Sequence, residues 1–190
     1  MKDLYLASQS PRRKELLQQL GFSFKTVSVD CDEVFPKTMP TAEVAGYLSK
    51  LKAEAYPELK NNEVLLTADT IVAVEDTILG KPASEAEAKT MLQQLSNRTH
   101  KVYTGVSFRT VDGIITLTDS AEVSFDELKD EEITFYIKTC APLDKAGAYG
   151  IQDWLGMSKI KQIQGNFYTI MGLPTHLVYR TLSELIGHAK

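Results

Sequence analysis

The sequence predicts an α/β protein with a mixed, partly antiparallel sheet and flanking helices. Along the chain, segments with the alternating apolar pattern of strands alternate with segments whose apolar residues recur at helical spacing. Asp112-Gly113 lies between two alternating segments and is a strong hairpin signal, which adds antiparallel pairing to that order. The 190 residues contain no internal repeat or low-complexity tract, so we expect a single domain over residues 1–190.

The first elements are a strand, a tight loop and a helix. Residues 4–7 form a short apolar strand. Ser10 is a good N-cap, Pro11 suits the first helical position, and Gly21 suits the end of the helix. The helix should therefore begin at Pro11 and end near Gly21.

The middle of the chain contains two short apolar segments, residues 64–67 and 71–74, separated by Asp69-Thr70. This pattern predicts two strands, paired or consecutive, with a polar break between them. The other predicted elements are a strand over residues 22–29, a helix from an N-cap at Thr41 to before Pro57, a helix opened by the capping box Ser84-Glu85-Ala86-Glu87, hairpin strands over residues 99–110 and 114–125, a helix over residues 130–138, strand structure within residues 157–170, and a helix after Pro174.

Charge and cysteine content exclude several classes of protein. The formal charge of −4 and the pI near 5.4 argue against broad attraction to nucleic acid or to an anionic membrane. Cys31 and Cys140 have no Cys-x-x-Cys pattern and no histidine at zinc-ligand spacing, so we expect two reduced thiols. No long apolar segment follows Met1, which predicts a cytoplasmic protein that neither crosses nor binds a membrane.

Ser10-Pro11-Arg12-Arg13 places two guanidinium groups in the first turn of a helix. The helix dipole disfavours cations there by roughly 0.3–1 kcal/mol each. A phosphate bound at the helix start by Arg12, Arg13 and the hydroxyl of Ser8 or Ser10 would explain this placement. The alternative is a pair of solvated surface arginines.

Two carboxylates and two lysines are further candidates. Asp69 and Glu33 on separate segments would together hold a hard divalent cation that also takes phosphate oxygens. Taken singly, Asp69 is a common turn former and Glu33 an ordinary surface charge. Lys52, at the edge of the apolar stripe of its helix, either reaches a cleft or extends into solvent, and Lys81 stands on a stiff loop between Gly80 and Pro82.

The segment Ala146-Gly147-Ala148-Tyr149-Gly150-Ile151-Gln152 combines small residues with one amide side chain. Small residues let a backbone approach a flat ligand, and Gln152 has the donor and acceptor needed to bind the edge of a base. A tight structural loop explains the glycines equally well.

Several segments in one order resemble the Maf family of nucleotide pyrophosphatases. They are Leu6-Ala7-Ser8-Gln9-Ser10-Pro11-Arg12-Arg13, Thr67-Ala68-Asp69-Thr70, Ile78-Leu79-Gly80-Lys81-Pro82, Val102-Tyr103-Thr104-Gly105-Val106, Asp144-Lys145-Ala146-Gly147-Ala148-Tyr149-Gly150-Ile151-Gln152 and Gly172-Leu173-Pro174. The resemblance implies a fold like that of the inosine triphosphate pyrophosphatases, with two lobes around a cleft, often as a homodimer.

The resemblance also implies roles for particular residues. Asp69 matches the catalytic acid/base of the family. The positions associated with substrate choice are Arg12, Thr70 and Gln152, and those that line the phosphate and metal site are Ser8, Arg13, Glu33, Lys52 and Lys81. The implied cofactor is Mg²⁺, Mn²⁺ or Co²⁺ held by Glu33 and Asp69, and Asp32 is an alternative to Glu33.

The implied reaction is hydrolysis of dTTP and UTP to the monophosphate and pyrophosphate, which removes non-standard nucleotides. CTP and modified pyrimidine nucleotides are further candidate substrates. The loop before Gln152 is similar to the dTTP/UTP branch, although Asp153-Trp154 departs from its usual small or polar residues. The alternatives are a pyrophosphatase of 7-methyl-GTP or another modified nucleotide, and a nucleotide-binding regulator of septum formation and cell division.

Overall fold

The computed structural model describes residues 2–187 and confirms the mixed α/β architecture. Its helices are α1 (Pro11–Gln19), α2 (Thr41–Ala55), α3 (Glu85–Leu95), α4 (Asp130–Cys140), α5 (Trp154–Lys159), α6 (Phe167–Met171) and α7 (Thr175–Ile186). Its strands are β1 (Asp3–Ala7), β2 (Lys25–Val27), β3 (Glu63–Val74), β4 (Thr77–Leu79), β5 (Thr99–Thr110), β6 (Gly113–Phe125) and β7 (Ile160–Gln164). Two 3₁₀ turns, Pro142–Asp144 and Ala146–Ala148, join α4 to α5.

Within the described residues the strands form one sheet in the order β2-β1-β3-β5-β6-β7, with β4 paired to β3. β1 is parallel to both β2 and β3, whereas β4 and β7 are antiparallel to their partners. β5 and β6 are neighbours joined by two residues, a connection that only antiparallel strands allow. The hairpin predicted at Asp112-Gly113 is therefore confirmed.

The chain folds into two compact units. Of the described residues, the first unit holds 2–69, 104–119 and 172–187, and the second holds 70–103 and 120–171. The second unit has an extensive apolar core that includes Leu92, Tyr136 and Leu155. In the first unit, Leu6 and Leu17 are fully buried. A single domain over residues 1–190 and a cleft between two lobes stay predictions.

The predicted break at Asp69-Thr70 is wrong, because β3 runs through both residues without interruption. Residues 63–67 pair with β1 and residues 72–74 pair with β4. These ladders hold the strand on either side of Asp69, so tertiary pairing overrides the low strand propensity of aspartate.

Other element boundaries also differ from the predictions. β2 covers only Lys25–Val27, and α2 begins at Thr41 with Pro40, not Thr41, at the N-cap. The segment 157–170 contains the short strand β7 between the helices α5 and α6. β7 ends at a bend at Gly165, whose φ of 120° is a conformation that favours glycine.

No helix among residues 2–187 combines the length and apolar character needed to cross a bilayer. The N-cap positions predicted for α1 and α3 are confirmed. Ser84 accepts a hydrogen bond from the backbone N–H of Glu87, and Ser10 lies at the N-cap of α1 but makes no side-chain cap bond.

Candidate functional site

β1 and β2 end at the same level, opposite Thr67 in the middle of β3. Ala7 lies opposite Val27 on β2 and opposite Thr67 on β3. The parallel ladder ends after Ala7 and Val27, whereas β3 continues through Ala68 and Asp69. This register places Ser8 between the start of the loop over residues 28–40 and Ala68 of β3.

Lys52 joins two carboxylates in the first unit. Its Nζ lies 2.6 Å from Asp69 Oδ1 and 3.1 Å from Glu33 Oε2. The Lys52 and Asp69 side chains are only 16% and 12% exposed, whereas that of Glu33 is 52% exposed. An ammonium between two carboxylates offsets the repulsion that would otherwise oppose their approach.

Buried hydrogen bonds near Lys52 and Asp69 hold α2 against the sheet. Thr67 Oγ1 donates to the carbonyl oxygen of Ser49 across 2.6 Å, and both residues are fully buried. Ser49 lies one helical turn before Lys52, and Thr67 lies two residues before Asp69. The hydroxyls of Ser49 and Ser107 share a further hydrogen bond of 2.8 Å. These contacts set the separation between the helix that carries Lys52 and the strand that carries Asp69.

Arg109 anchors the carboxyl end of the same helix. Its Nη1 donates to the carbonyl oxygens of Ala53 and Tyr56. Carbonyls at the end of a helix lack intrahelical partners, so a guanidinium there satisfies them and complements the helix dipole. Lys52, in the last turn of α2, is thereby held on a fixed backbone.

Arg13 extends from the first turn of α1 to two backbone carbonyls. Its Nε donates to Gly172 at 2.8 Å, and its Nη1 donates to Ala68 at 2.9 Å. Burial lowers the pKa of the Arg13 guanidinium, and the nearby Asp69 carboxylate opposes that shift. Arginine nevertheless stays protonated in proteins, so Arg13 supplies a permanent positive charge beside Asp69. Arg12 is close enough to lower the Arg13 pKa further.

Ser8 follows the last residue of β1 and lies in the turn that leads into α1. Its hydroxyl oxygen accepts a hydrogen bond of 3.2 Å from the backbone N–H of Ser10. The hydroxyl proton of Ser8 still has the capacity to donate to an anion.

Cys31 is a residue near the site that the sequence did not single out. It is half-buried, and burial raises the pKa of its thiol while the Lys52 ammonium opposes that shift. A neutral thiol therefore lies within electrostatic reach of Lys52 and Glu33. The run Asp30-Cys31-Asp32-Glu33 gave no local pattern that pointed to the cysteine.

The second unit holds Thr70, Lys81 and Gln152. Thr70 lies within β3, exposed Lys81 lies between β4 and α3, and exposed Gln152 precedes α5. We call residues 145–153 the Gln152 loop. The backbone N–H of Gly147 in this loop donates to the carbonyl oxygen of Gly80 at 3.0 Å. The segments that carry Lys81 and Gln152 are thus joined directly.

Glycine is required at position 147, where the Gln152 loop meets the segment that contains Gly80. Its φ is 67°, and a Cβ there would lie 2.9 Å from the side chain of Val72. Any larger residue would be strained and would push the Gln152 loop away from β3.

The structure groups the predicted site residues by unit. Lys52 directly contacts Asp69 and Glu33, and Arg13 influences the same carboxylates. The members in the first unit are Ser8, Arg12, Arg13, Glu33, Lys52 and Asp69, and those in the second are Thr70, Lys81 and Gln152. That all nine converge on one ligand stays a prediction.

Within residues 2–187 no group of three or more His, Cys, Asp or Glu side chains is arranged to hold a metal ion. The cluster around Lys52 offers two carboxylates, which are hard oxygen donors. Mg²⁺ is commonly bound by one or two carboxylates together with substrate phosphates and water. The donor set therefore fits a divalent cation that arrives with a phosphate ligand.

The comparisons with known proteins agree with the sequence resemblance. Residues 3–185 match the family model described as Maf-like protein. The chain is 44% identical over 184 residues to a dTTP/UTP pyrophosphatase of Bacteroides thetaiotaomicron, covering 96% of this chain and 95% of the relative. It is also 44% identical over 177 residues to a dTTP/UTP pyrophosphatase of Flavobacterium psychrophilum, covering 93% and 91%.

Two solved structures are similar at lower identity. A dITP/XTP pyrophosphatase of Mycobacterium abscessus superposes with a TM-score of 0.40 at 18% identity, over 66% of this chain and 73% of that one. A HAM1 protein of Coxiella burnetii superposes with a TM-score of 0.42 at 17% identity, over the same shares of each chain.

Proposed function

The chain belongs to the family of Maf-like proteins, and from that premise we propose that it hydrolyses dTTP and UTP to the nucleoside monophosphate and pyrophosphate. The observation that carries this proposal is similarity over nearly the whole chain to proteins named dTTP/UTP pyrophosphatase. The cluster of Lys52, Asp69 and Glu33 beside Arg13 supplies chemistry suited to that reaction.

Arginine and lysine side chains bind the triphosphate. Arg12 and Arg13 lie at the start of α1, where backbone dipoles also favour an anion. Arg13 is fixed by two carbonyl oxygens, so its charge is held in place before substrate arrives. Ser8 donates its hydroxyl, and Lys52 and Lys81 balance negative charge as pyrophosphate leaves.

Asp69 accepts a proton from the attacking water. The water oxygen bonds to the α-phosphorus, and the bond from that phosphorus to the bridging oxygen of pyrophosphate breaks. Asp69 is suited to this role because it is largely buried and held by Lys52 in a defined orientation. A carboxylate that is ordered before substrate binds needs little reorganisation during the reaction.

Asp69 and Glu33 would hold a divalent cation, either Mg²⁺, Mn²⁺ or Co²⁺. When bound, the cation would polarise the phosphate oxygens and stabilise charge that develops on them. Lys52 already contacts both carboxylates, so it keeps them together in the absence of substrate.

Arg12, Thr70 and Gln152 select the base and sugar. The Gln152 side chain is exposed and carries both a donor and an acceptor, which a pyrimidine edge requires. We further propose that the protein is a cytoplasmic homodimer that removes non-standard nucleotides, with CTP and modified pyrimidine nucleotides as additional substrates.

Product analysis tests the proposed reaction. Purified protein is incubated with Mg²⁺, Mn²⁺ or Co²⁺ and a panel of dTTP, UTP, CTP, dGTP and 7-methyl-GTP. We expect monophosphate and pyrophosphate in equal amounts, fastest with dTTP and UTP, and no turnover after chelation of the metal. Release of orthophosphate would show that a different bond is cut, and a preference for 7-methyl-GTP would contradict the proposed substrate.

A nucleotide-binding regulator of cell division would bind the triphosphate without hydrolysing it. Calorimetric titration with dTTP in the same buffer separates the two cases, because a regulator would give binding heat but no pyrophosphate.

A further inference from the structure

Tyr136 of α4 is fully buried and makes two hydrogen bonds to the Gln152 loop. Its hydroxyl oxygen accepts from the backbone N–H of Gly150 at 3.0 Å, and its proton is donated to Asp153 Oδ2 at 2.9 Å. Both partners flank Gln152 in sequence, Gly150 two residues before it and Asp153 one residue after it. A single phenol therefore holds the loop on either side of the residue proposed to bind the base.

Asp153 closes the loop by further contacts. Its Oδ2 lies 3.7 Å from Lys145 Nζ at the start of the loop, and its backbone N–H donates to the carbonyl oxygen of Gly150. Gly150 leaves the space that this carboxylate needs, because a Cβ there would lie 2.5 Å from Asp153 Oδ2. The departure from the usual sequence at Asp153 is thus a structural feature of the loop.

The rest of the loop is equally constrained. Tyr149 is buried and its hydroxyl shares a hydrogen bond of 2.7 Å with His100 Nε2. Ala148 has a φ of 58°, a conformation that costs free energy for a residue with a Cβ. The surrounding bonds hold this backbone in place, so Gln152 itself is exposed on a rigid turn.

We propose that Tyr136 is a positioning residue for base recognition, which acts by fixing Gln152 through Gly150 and Asp153. The inference rests on the proposed function, in which Gln152 binds the pyrimidine. Phosphate binding and proton transfer are assigned to other residues, so loss of the Tyr136 hydroxyl should weaken selection of the base without slowing the chemical step.

The Tyr136→Phe variant tests the proposal because it removes only the hydroxyl. We expect the KM for dTTP to rise about tenfold with little change in kcat, since the loop loses two bonds beside Gln152. The ratio of kcat/KM for dTTP to that for dGTP should fall by a similar factor. Exposed Tyr168 of α6 provides the matched control, and Tyr168→Phe should leave the ratio unchanged.

Asp153 provides a second pair of variants if Tyr136→Phe does not fold. Asp153→Asn keeps an oxygen that accepts from Tyr136, whereas Asp153→Ala removes it. We expect Asp153→Ala to lose base discrimination and Asp153→Asn to retain most of it. Equal loss of activity towards every nucleotide would indicate a merely structural role and would overturn the proposal.

The Gln152→Ala variant tests the proposed role of Gln152 separately from that of Tyr136. If Gln152→Ala leaves the dTTP to dGTP ratio unchanged, the assigned role of Gln152 fails. If Gln152→Ala lowers the ratio while Tyr136→Phe and Asp153→Ala do not, the result contradicts the role of Tyr136. The same result supports the role of Gln152. In the supporting case, adding Tyr136→Phe to Gln152→Ala produces no further loss of discrimination.

Discussion

Lys52 donates a hydrogen bond of 2.6 Å to Asp69 and thereby joins the last turn of α2 to the middle of β3. The same ammonium lies 3.1 Å from Glu33 on a loop that follows β2. Three separate segments of the first unit meet at one positive charge. Asp69, the proposed base, and Glu33, the second proposed cation ligand, therefore share a partner.

Replacing Lys52 with methionine should lower kcat/KM for dTTP by about a hundredfold, because the phosphates lose a cation and the two carboxylates lose the charge between them. Steady-state kinetics with dTTP measures the effect. Lys50→Met on the same helix is the control, since Lys50 is half-exposed and pairs with Glu54 at the surface. Equal activity of the two variants would contradict the assignment of Lys52 to the site.

The hydrogen bond from Thr67 to Ser49 should contribute to stability. Thr67→Val preserves shape but removes the buried donor, and we expect the free energy of unfolding to fall by about 1 kcal/mol. Urea denaturation gives that value. Thr77→Val, at an exposed position of β4, is the control and should change the free energy of unfolding by less than about 0.5 kcal/mol. A Thr67→Val variant as stable as the wild type would show that this bond contributes nothing.

His100 should make stability depend on pH. Burial lowers its pKa to about 4, below the value of 6.5 for a free histidine. Between these two values the unfolded chain takes up a proton that the folded chain excludes. The stabilising contribution is therefore complete above about pH 6.5 and is lost as the pH falls towards 4, by about 3 kcal/mol in total.

Urea titrations across that pH range check the contribution of His100. In His100→Gln, which retains a partner for Tyr149, the dependence of stability on pH should be weaker than in the wild type. His176→Gln, at a half-exposed position, is the control. Identical slopes for the wild type and His100→Gln would contradict the assignment.

Local patterns predicted α1, α2, α3, α4 and α7, whereas α5 and α6 lie where strand structure was expected. The Ser10-Pro11 start of α1 and the capping residue Ser84 of α3 are short-range features, so the sequence contains everything needed to place them. β3 was predicted as two strands because Asp69-Thr70 is polar, and only its pairing with β1 and β4 makes it continuous. Strand continuity depends on neighbours that are distant in the chain.

The candidate site was predicted only in part for the same reason. Arg13 was expected to bind phosphate because helix starts disfavour cations, yet two of its N–H groups bind the carbonyls of Ala68 and Gly172. Gly172 is 159 residues from Arg13 in the chain, and no local sequence pattern predicts such a contact. The contacts of Tyr136 with Gly150 and Asp153 likewise depend on tertiary structure.

The most direct test of the account is the rate of pyrophosphate release from dTTP by Asp69→Asn. This variant keeps the size of the side chain but cannot accept the proton, so we expect kcat to fall by about a hundredfold to ten-thousandfold with dTTP binding retained. Asp76→Asn, at an exposed position, should keep the wild-type rate. A folded Asp69→Asn protein that releases pyrophosphate at the wild-type rate would contradict the central role given to Asp69.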